Sequence, residues 1–132
     1  KELLNKAQII HQELPAKTYS EAQKFIMAET LLHKYARAKL VITSRIHCAL
    51  PCLALGTPVI YLNGFDSFVD SCRLAGLADL FNRVDVERST GKISNNFHVN
   101  GKIGSNANLA NPVRYKALKT AMEATCHAFI EA

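Results

Sequence analysis

Residues 40–47 read LVITSRIH. The run from Leu40 to Ser44 is short, β-branched and apolar on both faces, which is the signature of a strand covered on both sides and therefore of a parallel sheet. Arg45 and His47 follow without a spacer, although interiors rarely accept such side chains unpaired. Residues 45–55, RIHCALPCLAL, then read as a helix closed by Gly56, with Pro58 just beyond it. Pro51 lies inside that stretch, where it removes a backbone hydrogen bond at a cost of about 3 kcal/mol, so a kink or a late helix start is expected. Residues 58–62, PVIYL, repeat the strand signature.

Working outward, residues 7–11, AQIIH, form another short apolar run, ended by Gln12-Glu13 and then Pro15, and are expected to be a strand. Ser20 and Gln23 have the spacing of a capping box. Ala22, Phe25, Ala28, Leu32, Tyr35 and Ala36 recur behind them at helical intervals, so a helix is expected over residues 20–37 with this stripe inward. After the loop Asn63-Gly64-Phe65-Asp66, residues 67–76 read as a helix with Phe68, Val69, Cys72, Leu74 and Ala75 inward, and Leu80 to Val86 as a last strand. This order predicts an α/β fold, a Rossmann-like doubly wound parallel sheet with right-handed crossovers. Residues 88–111 hold six asparagines and three glycines and read as an irregular insertion, with a hairpin at Asn100-Gly101 inside FHVNGKI. Asn111 and Pro112 suit the N-cap and first turn of a closing helix whose buried stripe would be Ala117, Leu118, Ala121, Thr125, Ala128 and Phe129.

A chain of 132 residues is about one domain, and residues 1–132 are read as one, large enough to fold without disulfides. Apolar residues make up 48% and charged residues 20%, an ordinary globular balance. Lys1-Glu2-Leu3-Leu4 lacks the apolar run of a signal peptide, and no apolar stretch is long enough to span a bilayer, so a cytoplasmic protein is expected. Cys48, Cys52, Cys72 and Cys126 lie among apolar and small residues and are read as reduced core thiols. No second ligand pair at zinc spacing follows His47, Cys48 and Cys52, so no metal site is expected. The net charge of +5 is uneven, since residues 1–45 hold eight Lys/Arg against four Asp/Glu. That excess points to an anionic ligand or an anionic surface near the first half, while the absence of an Arg-rich or aromatic-interleaved basic run argues against nucleic acid.

In open α/β sheets ligands lie beyond the carboxyl ends of the strands. With Ser44 as the helix cap, Arg45 and His47 fall in a first turn whose free N–H groups and dipole attract anions. Arg45 adds a planar fork suited to phosphate or carboxylate. His47 adds a proton donor whose charged form a bound dianion would favour. Read on residues alone, His47 is equally a packed histidine beneath the sheet and Arg45 a solvated first-turn residue. His11 and Glu13, at the end of the first strand, would face the same cleft. Asp66 and Ser67 follow PVIYL and would cap the next helix while touching ligand. His33, His98 and His127 read as surface residues.

Residues 38–62, AKLVITSRIHCALPCLALGTPVIYL, resemble the signature of the polysaccharide pyruvyl transferase family, in which a strand enters an Arg-Leu-His or Arg-Ile-His triplet, an alanine/leucine-rich helix, Gly-x-Pro and a second strand. The resemblance implies the carboxyl-terminal lobe of a two-lobed, GT-B-like enzyme whose amino-terminal lobe is missing here. It implies phosphoenolpyruvate as donor, a saccharide as acceptor, a pyruvate ketal as product, and no cofactor beyond the donor. Arg45 would bind the donor's phosphate or carboxylate, with Ser44 beside it, and His47 would be the general acid. His11 and Glu13 would touch the acceptor, which as a membrane-linked glycan would bring the enzyme to the membrane surface. Two departures stand out: family members carry a lysine shortly after the second strand, where this chain has Asn63-Gly64-Phe65-Asp66-Ser67, and Pro51 replaces a small apolar residue. Two other readings share the sequence, a GT-B glycosyltransferase lobe using a nucleotide sugar and a non-catalytic carbohydrate-binding module.

Overall fold

The computed structural model describes residues 7–13, 18–64, 74, 76–98, 103 and 109–131. Four strands, β1 (Val41–Thr43), β2 (Val59–Asn63), β3 (Asn82–Val86) and β4 (Ile93–Asn95), form one sheet in that spatial order. The first three are parallel, with Val41 opposite Val59 and Ile60 opposite Asn82, and β4 returns antiparallel to β3. Three helices are described, α1 (Glu21–Arg37), α2 (Ile46–Ala54) and α3 (Arg114–Ile130), with a short 3-10 turn at Ala78–Leu80. The protein is thus an α/β fold on a mostly parallel sheet, and the two apolar runs around Arg45 and His47 are neighbouring parallel strands joined through α2.

The local chemistry of these elements follows the sequence closely. Ser20 accepts from the Gln23 amide and the Gln23 side chain accepts from the Ser20 amide, so the capping box starts α1. At the end of α2, Gly56 takes φ +75°, its amide donates to the Leu53 carbonyl, and the Thr57 amide donates to the Cys52 carbonyl. This pair of bonds is a Schellman closure, in which a left-handed glycine satisfies carbonyls the helix cannot. Pro51 does not delay the helix, because α2 already begins at Ile46 and carries Pro51 inside it.

The core lies between one face of the sheet and the helices α1 and α2. It contains Tyr35 from α1, Cys48, Ala49, Cys52 and Leu53 from α2, and Val59, Tyr61 and Phe81 from the strands and the turn before β3. The Tyr61 and Phe81 rings meet at a centroid distance of 5.6 Å, tilted by 36°. Two side-chain amides close the rim, one buried and one half-buried: Asn111 accepts from the Val59 amide and donates to the Thr57 carbonyl, and the buried Asn82 donates to the Ala110 carbonyl.

Several expectations are corrected here. Residues 7–13 form no strand: Ile10 is partly buried against the core while Ile9 is exposed, so side-chain contacts, not a ladder, hold the segment. Without that strand the described sheet shows no reversal of strand order. Ile42 is 48% exposed, so β1 is not covered on both faces, although Ile60 beside it is buried. In α1 only Tyr35 is buried, while Phe25 and Leu32 face solvent. The stripe foreseen on α3 is likewise open, since no residue of that helix is buried and Phe129 is 84% exposed. Asn111 does not cap α3, whose cap is Val113, because its amide is already used against β2.

A hairpin joins β3 to β4 through a turn in which the Glu87 amide donates to the Lys92 carbonyl and Gly91 takes φ +69°. The hairpin expected at Asn100-Gly101 and the helix over 67–76, apart from Leu74 and Gly76, lie outside the described residues.

Candidate active site

The carboxyl ends of the parallel strands carry the polar groups. β1 ends at Thr43, whose hydroxyl accepts from the Arg45 amide at 3.0 Å. That bond turns the chain sharply from strand to helix, and Arg45 itself, at φ −100° and ψ 119°, is the N-cap residue of α2. Ser44 therefore does not cap the helix as foreseen, since the Thr43 hydroxyl already satisfies the first amide and no side chain bonds the cap. One position is gained by this shift: His47 stands second in the helix and Cys48 third. Ser44, Arg45 and His47 are all exposed.

Arg45 is not free. Its Nη2 donates to Glu13 Oε1 at 2.6 Å, with the two side chains 60% and 78% exposed. Two residues that sequence reading placed at one cleft, 32 positions apart, are thus in direct contact. Glu13 is brought there by its neighbours in the extended segment: Ile10 packs on the core, and Gln12 Nε2 donates to the Tyr35 hydroxyl at 2.8 Å. His11 is exposed on the same segment and borders a groove of about 390 Å³ between that segment and α1, lined by Ile10, Met27, Leu31, Lys24 and Lys34 among others. That groove does not include Arg45 or His47. Asp66 and Ser67 lie outside the described residues.

Next along the same edge, Asn63 donates to Asp85 at 2.7 Å between β2 and β3, and Asp85 also accepts from Arg83 Nε at 2.9 Å. Arg88, on the β3–β4 turn, donates through Nε to the Gly64 carbonyl at 2.6 Å. Gly64 takes φ +88°, and a Cβ there would run into the Val86 carbonyl oxygen, so the loop after β2 is pressed against the end of β3. None of Asn63, Asp85 or Arg88 stood out in the sequence. Asn63 and Asp85 meet only through the register that sets them opposite each other.

Beneath the turn lies a buried group of side chains around Cys48. The Cys52 thiol, which donates to it, is the main cause that brings the Cys48 thiol down from 9.0 to about 6; burial opposes this, and Tyr35 and Thr43 assist it. Cys52 is pushed up by its hydrogen bond to Cys48 and by burial, and burial together with the Cys48 contact raises Tyr35 from 10.0 to about 12. Position three of a helix also favours a thiolate through the dipole.

The consequence is measurable. Absorbance at 240 nm should rise with a midpoint near pH 6 and disappear in Cys48→Ser. A depressed folded-state value stabilises the fold at high pH, so the pH-dependent part of the stability difference between the two chains should grow from about pH 6 to 9. Above the ordinary thiol value the sign reverses, because folded Cys52 keeps a proton that the unfolded chain releases.

Of the four cysteines read as core, Cys48 and Cys52 are buried and free, Cys126 is exposed on α3, and Cys72 lies outside the described residues. His33, His98 and His127 are on the surface. Among the described residues no three His, Cys, Asp or Glu side chains come together as a metal site. No described helix is long and apolar enough to cross a membrane.

These elements define a class first: an α/β protein whose parallel strands end in an exposed Arg and His on the opening turn of a helix. Comparison with known families then gives a match between residues 6–67 and the polysaccharide pyruvyl transferase model. The match covers just under half of the chain, and over that stretch the sequence is similar to that family of transferases. The match spans the Glu13 segment, α1, β1, the Arg45–His47 turn, α2 and β2. No curated protein and no solved structure matches the chain.

Proposed function

We propose that this chain is the carboxyl-terminal, Rossmann-like lobe of a two-lobed, GT-B-like enzyme that transfers the pyruvyl group of phosphoenolpyruvate to a saccharide in the cytoplasm, during surface polysaccharide biosynthesis. One observation carries the reading: Arg45 and His47 open α2 at the carboxyl end of β1, solvent-exposed, inside the segment that matches the family. An exposed guanidinium beside free helix N–H groups binds an anionic donor by charge and by a two-pronged fork. The adjacent imidazole delivers a proton.

In the reaction, C3 of the enol is protonated, two sugar oxygens bond to C2, and the bond from C2 to the phosphate oxygen breaks. The two hydroxyl protons end on C3 and on the released phosphate, so no oxidant or reductant is required. Arg45 holds the donor's phosphate or carboxylate, and Ser44 stands next to it. His47 is the general acid toward C3 or the departing phosphate. His11, on the segment facing Arg45, and Asp66 and Ser67, after β2, are assigned to the saccharide. An amino-terminal lobe completes the cleft.

Inorganic phosphate released from phosphoenolpyruvate, with a saccharide acceptor present, tests the assignment in the enzyme that carries this chain. His47→Ala should lower kcat by about 100-fold or more while leaving donor affinity within about twofold, as removal of a general acid does. Normal turnover in His47→Ala would refute the acid role.

A further inference from the structure

Glu13 presents to Arg45 the same chemical group that an anionic donor would bring. The carboxylate meets Nη2 at 2.6 Å, and both side chains are more than half exposed, so the contact is open to exchange with dissolved anions. Its approach is set from outside the helix, by Ile10 against the core and by Gln12 on the Tyr35 hydroxyl. One guanidinium fork cannot hold two anions in the same place. We propose that Glu13 is an exchangeable internal carboxylate, which occupies Arg45 in the empty site and is displaced when a phosphate- or carboxylate-bearing ligand arrives. The proposal rests on the reading of Arg45 as the donor's anion site and adds to it a built-in competitor, which weakens capture of weak anions and keeps the guanidinium aligned between turnovers.

Exposed ion pairs favour the paired state by a factor of roughly two to five. The test uses inorganic phosphate as probe and the backbone amide resonances of Arg45, Ile46 and His47 as readout, in the unaltered chain, Glu13→Gln, Glu13→Ala and Arg45→Ala. Both Glu13 variants should bind phosphate roughly two to five times more tightly than the unaltered chain, and Arg45→Ala should show no saturable binding. Equal or weaker binding in the Glu13 variants, with Arg45→Ala still silent, overturns the exchange and leaves the anion site standing. No phosphate response in the unaltered chain or in either Glu13 variant overturns both. The Glu13 side chain is 78% exposed and outside the core, so loss of fold does not confound the comparison, and two variants of different shape separate lost charge from altered packing.

Discussion

Arg45→Ala is expected to weaken phosphoenolpyruvate binding by roughly 100- to 1000-fold, the equivalent of about 3–4 kcal/mol. The warrant is the number and kind of bonds lost. Hydrogen bonds to charged groups contribute about 1.5–3 kcal/mol each, and a guanidinium offers two in parallel to one phosphate or carboxylate. Exposure of the Arg45 side chain, at 60%, holds the figure toward the lower end of that sum. Arg45→Lys keeps the charge but loses the fork, and should fall between the two, at about tenfold. Glu13 sharpens the expectation, because a guanidinium already in contact with a carboxylate at 2.6 Å is demonstrably placed to receive one. Calorimetric titration of each variant with phosphoenolpyruvate reads the effect, and a loss smaller than about threefold in Arg45→Ala would move the anion site elsewhere.

The largest effect on stability is expected at Phe81. The ring is fully buried, sits in the turn between the 3-10 segment and β3, and meets Tyr61 at 5.6 Å. Truncating a buried Phe to Ala removes the transfer free energy of the ring and leaves a cavity, together about 3–5 kcal/mol. Domains of this size hold only about 5–15 kcal/mol in total, so Phe81→Ala should remove roughly a fifth or more of the stability. In urea, where the dependence is about 1–3 kcal/mol per molar, the midpoint should fall by roughly 2 M. The site should feel the change, since Tyr61 lies two residues before Asn63, whose side chain is bonded to Asp85 at the strand ends. A midpoint shift below about 0.5 M would mean that the core is not centred on this ring pair.

Particular residues explain what was and was not readable. LVITS and PVIYL were legible because a short β-branched run carries its own burial signal, and because Gly56 and Pro58 mark where the intervening helix must stop. The capping box of Ser20 and Gln23 is likewise a contact between residues three apart. AQIIH failed for a physical reason: one partly buried isoleucine in an unpaired segment produces the same apolar run as a paired strand. The stripes on α1 and α3 failed because periodicity shows which face is apolar, not whether anything covers it. β4 carries exposed Ile93, Ser94 and Asn95, and its pairing comes from the turn at Gly91, not from any apolar alternation.

At the site, Arg45 and His47 were legible as chemistry. Glu13 was legible as a neighbour, though its direct bond to Arg45 was not. Side chains 32 residues apart meet only when the intervening helix and strand are in place. The cap illustrates the same limit at short range: Ser44 has the right chemistry, but the Thr43 hydroxyl reaches the Arg45 amide first and moves the helix start by one residue.

The central claim is that Arg45 and His47 face one anionic donor. It is tested most directly by recording the His47 ring and Arg45 side-chain resonances of the 132-residue chain during titration with phosphoenolpyruvate and, separately, with uridine diphosphate. Both sets of signals should move together, with one shared dissociation constant, on addition of phosphoenolpyruvate and stay in place with the nucleotide. Movement with the nucleotide alone, or silence of either residue while phosphoenolpyruvate binds, would contradict it.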